Sequence, residues 1–389
     1  MYQGQFVFSQ IIDHSPWKTF HRCVKHYHGD RKVRSFTCSQ QYRAMAIAQL
    51  NRRSSLRDLV ICLKAHQDKL YHLGLSGGIS RSTLADANEK RDWRIYADYA
   101  QRLVHLARPL YGPEDSELNL QETVYALDSS TIDLCLSLFP WARFRKTKSG
   151  IKLHTLLDLQ GNIPSFIEIT DAKLNDVNIL DALLPEPGAI YVMDRAYLDS
   201  ERLHTVHSFG SYFVVRAKSN TKFRRLYSHV NDRDNGLIYD QSGVLSGTKS
   251  AKRYPDRLRR IKYVDRERDK ALVFLTNNTY LPALTIAELY KNRWQVELHF
   301  KWIKQHLRIK SFYGTSENAV KTQIWTAVSV YVLLAIIKKR LRLQTNLYTI
   351  SQLLDTTLFE KIPLYQLLTS HEYKPKPTSP YKQLNLFDF

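Results

Sequence analysis

The chain has 389 residues, 43% hydrophobic and 24% charged, a balance that excludes a disordered or low-complexity chain and leaves room for two or three cores. Lys and Arg outnumber Asp and Glu 57 to 37, a formal net charge of +20. Such a field calls for a polyanionic partner, nucleic acid first and an acidic membrane surface second. No apolar run approaches the roughly 18 residues of a membrane span. The nearest, AVSVYVLLAII at 327–337, reads as a buried helix. The opening MYQGQFVFSQ lacks a signal-peptide pattern, and the four scattered cysteines suit a reduced compartment. The expectation is a cytoplasmic protein that handles DNA or RNA, with no membrane partner.

From 1 to about 110 the signals are helical: QQYRAMAIAQLNRR, then SSLRDLVICLKAH opening on a Ser cap, then ISRSTLADANEKRDWRIYADYAQRLVHLA. GLSGGIS separates the last two. A glycine turn before a helix that opens Ser80, Arg81, Ser82, Thr83 suits a helix-turn-helix, and equally an ordinary helical bundle. His21, Cys23, His26, His28 and Cys38 lack the paired-cysteine spacing of a zinc site, and the histidines read as surface residues near basic ones.

After the linker-like LYGPEDSELN the pattern turns to strands. TVYALDSSTIDLCL is apolar until Asp128, which is expected to break it. GIKLHTLLDLQGNIPSFIEIT gives two strands joined at Gln160, Gly161 and Asn162. NDVNILDALL reads as a short helix, AIYVMDRAY as a strand ending in Asp194, and a helix near 199–208 precedes the strand SYFVVRAK. This is the order of a mixed sheet with helices on its faces. Two apolar strands each ending in an acid place carboxylates at an open sheet edge or beside something positive, since burying a lone carboxylate costs several kcal/mol.

The stretch YKNRWQVELHFKWIK at 290–304 lacks Gly and Pro and reads as one helix. At about 100° per residue, Tyr290, Arg293, Lys301 and Lys304 fall within about 40° of Glu297 around the axis. Three cations and a phenol around one acid fit a carboxylate that holds a hard cation between phosphate-gripping side chains. A solvated face with ordinary i,i+4 pairs gives the same spacing.

These motifs resemble the DDE transposases of bacterial insertion sequences, in the insertion-sequence-4 family marked by Tyr, two residues, Arg, three, Glu, six, Lys. Tyr290, Arg293, Glu297 and Lys304 match that spacing, Asp128 in LDSSTIDL and Asp194 in VMDRAY match the surroundings of the first two acids, and Lys152-x-His154 matches a frequent KxH pair. Ala196 stands where the middle motif commonly has Gly. The resemblance covers roughly 120–345 and implies a ribonuclease-H-like catalytic domain over 120–218 and 284–345, interrupted by a β-rich insertion over 219–283. An all-helical DNA-binding domain at 1–110 would precede it, and C-terminal helices with a disordered tail over 346–389 would follow. It further implies two Mg²⁺ ions, with Mn²⁺ as substitute, held by Asp128, Asp194 and Glu297. Tyr290, Arg293, Lys301, Lys304, Arg195 and Lys152 would grip DNA phosphates.

The implied activity is cut-and-paste DNA transposition: binding of the terminal inverted repeats, metal-dependent strand cleavage and transfer into target duplex, with a homodimer in the synaptic complex. Some relatives stack a flipped base on a Trp in the insertion; this insertion has none, and Tyr239, Tyr263 and Phe274 are the substitutes. The alternatives are an inactive DNA-binding protein derived from a transposase and a host nuclease on the same fold. At the C-terminus, Gln383, Leu384, Leu386 and Phe387 resemble the peptide by which bacterial proteins dock on the sliding clamp; the same residues could instead pack on the protein's own body.

Overall fold

The first 110 residues form α1 (Val7–Asp13), α2 (Trp17–His26), α3 (Cys38–Leu50), α4 (Leu56–Ala65), α5 (Arg81–Lys90) and α6 (Arg94–Ala107). Thr37 and Gln40 form a reciprocal capping box at α3, and Ser55 and Ser80 accept the backbone N–H of Asp58 and Thr83 at α4 and α5. The long helical stretch after Ser80 is two helices, because Arg91 turns to extended backbone at the end of α5. The computed structural model describes residues 4–112, 120–229, 235–265, 270–306 and 312–369. The clamp-like residues Gln383, Leu384, Leu386 and Phe387 lie outside the described residues.

The strands are β1 (Val124–Leu134), β2 (Arg143–Arg145), β3 (Lys148–Asp158), β4 (Ile163–Asp171), β5 (Ile190–Met193), β6 (Tyr212–Arg216), β7 (Phe223–Ser228), β8 (Leu237–Leu245), β9 (Leu258–Asp265) and β10 (Lys270–Thr276). They form one ten-stranded sheet in the order β2-β3-β1-β5-β6-β10-β9-β8-β7, with β4 also paired to β3. β3 runs antiparallel to both β1 and β4, whereas β5 and β6 run parallel to β1. The β4-β3-β1-β5-β6 arrangement is ribonuclease-H-like. β10 returns beside β6, pairing Phe274 with Arg216 and Thr276 with Val214, so the strands of the 219–283 stretch continue the same sheet. Contrary to the expected break, β1 runs through Asp128, because β3 keeps pairing with it from Tyr125↔Asp158 to Leu134↔Ser149.

Helices α7 (Ser200–Ser208) and α8 (Thr248–Arg253) cover one face of the sheet. The other face carries α9 (Ala283–Asn292), α10 (Trp294–His306), α11 (Glu317–Arg340) and the N-terminal helices, with α12 (Leu347–Thr357) and α13 (Leu364–Thr369) packed beyond. Alternation along β1 shows the division: Val124 and Ala126 join the larger core, Tyr125 and Leu127 the smaller. The apolar run at 327–337 is the middle of the 24-residue α11, capped by Ser316. That helix is long and apolar enough to cross a membrane, yet 94% of its apolar window is buried against the rest of the protein, where α3, α5, α6 and α12 pack on it. An all-round apolar helix at the centre of a core has no use for a polar stripe.

In the outer sheet, Arg259 and Asp240 form a bidentate pair at 2.8 and 2.6 Å, only 6% and 4% exposed. Removing one partner strands a buried charge. Asp240→Ala is expected to lower stability in urea unfolding by about 3–5 kcal/mol, whereas the double replacement Asp240→Leu with Arg259→Met recovers most of the loss.

Candidate active site

The parallel pairing of β1 with β5 ends at Leu127↔Met193. The next residue on each chain segment is an acid, so Asp128 and Asp194 stand side by side just beyond the parallel pairing, where β5 ends and β1 runs on beside β3 alone. Alternation puts both on the face that carries α9 and α10. Glu297 comes from the first turn of α10 and is exposed.

The expected single helix over 290–304 is two helices that meet at Arg293, whose N–H and C=O take short i,i+3 bonds to Tyr290 and Val296 at 3.2 and 3.1 Å. The break swings the Arg293 guanidinium between two acids: one nitrogen donates to Asp128 Oδ2 at 2.6 Å and another to Glu297 Oε1 at 2.7 Å. Tyr290, on the last turn of α9, donates its hydroxyl to Asp194 Oδ1 at 3.0 Å. One short segment thereby contacts all three acids.

The electrostatics follow from this packing. Burial pushes the Asp128 carboxyl above its ordinary pKa; Arg293 and the Ser129 N–H, which donates to Oδ1 at 2.8 Å, pull it down, while Glu297 and Asp194 push it further up. Burial alone would lower the Arg293 pKa, but Asp128 and Glu297 hold it above its usual value. Tyr290 is pushed up to about 12 by burial and by Asp194, so its phenol stays protonated and donates.

The other expected residues divide by what they touch. Asp128, Ser129, Ser130, Glu297, Phe300, Lys301 and Lys304 line one cavity of about 430 Å³. Lys301 is exposed at its wall, whereas the Lys304 ammonium donates to the Thr131 carbonyl at 2.8 Å, pinning α10 to β1. Arg195 is exposed just after Asp194. Lys152 is turned away from solvent, donating to the Leu174 carbonyl at 2.7 Å and to Asp176 Oδ1 at 3.0 Å. Its neighbour His154 is buried, which lowers its pKa to about 4, and it bonds Thr170 at 3.0 Å.

Sequence reading missed Ser129 and Asp176. Ser129 Oγ donates to Asp176 Oδ1 at 2.6 Å, so Asp176 sits behind Asp128 through one serine and is neutralised by Lys152. Nothing periodic links positions 129, 152 and 176; the register of β1 and β3 sets Ser129 near Lys152, and the segment after β4 returns Asp176 to both. Near position 23, His21, His26 and His28 are exposed as expected of surface histidines, whereas Cys23 and Cys38 are buried in the helical core.

Asp128, Asp194 and Glu297 offer oxygen donors alone, the set that hard divalent cations take. The chemistry of the donors therefore fits such an ion, and the raised Asp128 pKa marks a carboxylate that a cation would stabilise. Among the described residues no three His, Cys, Asp or Glu side chains converge closely enough to hold one ion. Arg293 supplies the positive charge between Asp128 and Glu297, and cation binding at those oxygens must loosen its contacts.

Fold and site together define a three-acid protein on a ribonuclease-H-like sheet. Residues 119–333 match the family model described as a transposase DDE domain, and the chain belongs to that family. Residues 3–76 match a model described as a domain of unknown function. The chain is 33% identical over 301 residues to a protein of Sinorhizobium fredii named as a transposase, covering 76% of this chain and 81% of that one. It is 31% identical over 232 residues to a protein of Geobacillus stearothermophilus named as a transposase for an insertion sequence element, covering 59% and 60%. A similarly named Synechocystis protein is 27% identical over 265 residues, covering 66% and 71%. Among solved structures, a piggyBac transposase synaptic complex with hairpin DNA aligns with a TM-score of 0.45 and 10% identity over 95% of this chain and 80% of that one.

Loss of the bridging guanidinium has a pH signature. In Arg293→Gln the Asp128 pKa rises further, so the folded protein keeps a proton that the unfolded chain has released. Stability then falls as pH climbs from the ordinary carboxylate pKa through the raised one. Without divalent cations, the variant is expected to be about 1–3 kcal/mol less stable than the parent at pH 7, with the gap narrowing toward pH 4 in urea unfolding.

Proposed function

We propose that this transposase, a member of the Tyr-Arg-Glu-Lys group of the insertion-sequence-4 family, binds the terminal inverted repeats of its element as double-stranded DNA and cleaves and transfers DNA strands at the Asp128, Asp194 and Glu297 site. The observation that carries the reading is the strand register that sets Asp128 beside Asp194, with Arg293 and Tyr290 reaching from the α9–α10 junction to all three acids. The net charge of +20 supports a polyanionic substrate.

The three carboxylates would hold divalent cations, Mg²⁺ or Mn²⁺ and two in number. Bound there, such ions supply Lewis acidity at a phosphoryl oxygen and lower the pKa of an attacking hydroxyl or water. The chain's own residues do the rest. Released from the acids, Arg293 becomes a bidentate donor for a phosphate. Lys301 and Arg195 present exposed cations on either side of the acids, which position a strand without reading its sequence. Lys304 and Tyr290 act by holding α10 to β1 and α9 to Asp194. Sequence reading falls to the N-terminal helices, and two protomers pair two ends in the synaptic complex.

With Mg²⁺ and a duplex carrying the element's end, Asp128→Asn, Asp194→Asn and Glu297→Gln are each expected to reduce strand cleavage more than about 100-fold while end binding persists. A single variant that cuts at the parental rate removes that residue from the site. Adding Mg²⁺ or Mn²⁺ without DNA raises the parent's melting temperature by mass action and fails to do so in the variants. Lys301→Ala is expected to reduce the salt slope of DNA binding by about one unit, whereas Lys152→Ala leaves it unchanged.

The tail carries a separate part of the proposal: Gln383, Leu384, Leu386 and Phe387 dock on the bacterial sliding clamp. A peptide spanning 379–389 should bind the clamp with the Leu386 and Phe387 side chains required, and absence of binding at about 100 µM peptide removes this part alone.

A further inference from the structure

The outer strands carry their charge on the side of the sheet away from the acids. Asp128 and Asp194 belong to the face of α9 and α10, whereas Leu245 of β8 and Leu258 of β9 join the smaller core under α7 and α8. Continuing along that second face of β9 come Arg260 and Lys262, both partly exposed, with Gln241 and Tyr239 of β8 opposite them. On β7 the same face shows Phe223 and Arg225, opposite Leu245 and Gly243. A Cβ at Gly243 would stand 2.6 Å from the Phe223 ring, so the glycine lets that ring lie across the sheet. The Arg260 guanidinium fills the space between two rings, 4.5 Å from the centroid of Phe223 and 5.2 Å from that of Tyr239, and donates to Gln241 Oε1 at 2.7 Å. The Lys262 ammonium lies 6.0 Å from Tyr239. Beside this stack, Lys218, Lys222 and Lys249 are exposed on the walls of a recess of about 330 Å³ floored by Leu203, Leu245 and Leu258.

Lys218, Lys222, Arg225, Lys249, Arg260 and Lys262 thus crowd one face, where like charges repel unless something anionic lies over them. Asp240 of the outer sheet points to the opposite face and is taken up by Arg259. Among the described residues none of the six forms an ion pair. Their spread selects the partner. From β7 to β9 they span about 10 Å across the strands, and from Lys262 to the level of Leu258 about 13 Å along them. That is more than one phosphate can touch, whereas a duplex carries a charge for every 1.7 Å or so of its axis. Because Arg260 occupies the gap between Phe223 and Tyr239, that stack has no slot for an unpaired base. The leucines of the recess are buried and offer little to the interior of a bilayer.

We propose that this face is a second DNA-binding surface, separate from the carboxylate site, which holds a duplex by its phosphates without reading its sequence. The assignment rests on DNA as the substrate proposed above. A duplex held here lies on the opposite side of the sheet from the strand that meets the acids, so one protomer holds two duplex segments at once: the end being cut and a further stretch of DNA. Arg260 is fixed by its rings and Gln241, and the exposed lysines and Arg225 adjust to the backbone around it.

The test follows binding of the full-length protein to a duplex of unrelated sequence, about 20 base pairs long, by fluorescence anisotropy over a range of salt concentrations. In the triple variant Lys222→Ala, Arg225→Ala, Lys249→Ala, whose replaced side chains are all exposed, the salt slope is expected to fall by about two to three units and the affinity at about 0.1 M salt at least tenfold. Lys222→Arg with Lys249→Arg keeps both. Cleavage of a short duplex carrying the element's end, at saturating protein, stays within about twofold of the parent in the triple variant. An unchanged slope in that variant, with the parent still binding duplex, overturns this surface and leaves the carboxylate site as proposed, whereas a parent that binds no duplex overturns both. Loss of end cleavage at saturation overturns the separateness of the two surfaces. Binding to phosphatidylserine vesicles that the triple variant loses while its duplex slope is unchanged assigns the face to an anionic membrane and equally overturns the proposal.

Discussion

The bidentate reach of Arg293 from the α9–α10 junction is the contact on which the rest of the site depends. Asp128 is partly buried on a sheet strand, Glu297 is exposed on a helix, and no backbone hydrogen bond ties one to the other. A guanidinium 2.6 Å from the first and 2.7 Å from the second holds like charges together that would otherwise repel. The same residue interrupts the helix. An unbroken helix would keep Arg293 one turn from Glu297 on its surface, whereas the break at 293 lets the guanidinium reach inward to β1 while Tyr290 reaches Asp194.

The sheet contributes alignment. Asp128 and Asp194 are adjacent because β1 and β5 are parallel and in a fixed register, and a one-residue slip would send one acid to the opposite face. Lys304 on the Thr131 carbonyl and the Ser129–Asp176–Lys152 chain then brace β1 from both sides of Asp128. Several cations that look from their spacing like phosphate grips are thus engaged with the protein itself, and Lys301 and Arg195 are those left exposed.

Much of this was legible in the sequence. The acids announce themselves because a carboxylate at the end of an apolar run is costly without a reason, and the one-turn spacing of Arg293 and Glu297 brings their side chains together. The existence of β1, β3, β4, β5 and β6 followed from apolar runs and turn residues, whereas the short β2 did not. What stayed hidden depends on long-range pairing. The continuity of β1 through Asp128 is decided by β3, the interruption at Arg293 by acids 165 residues earlier and four residues later, and the place of Asp176 by a loop returning beside Lys152.

The placement of β10 carries a further consequence. The chain leaves the inner strands after β6, builds β7, β8 and β9, and comes back as β10 to hydrogen-bond the flank of β6 that those strands would otherwise leave bare. Excising β7 through β10 would therefore do more than shorten a loop. It would uncover a row of unpaired backbone groups on an apolar strand, with Val214 and Val215 wholly buried at present, and such an open border recruits other chains. The last strand of this stretch is thus the part on which the closed border of the inner sheet depends.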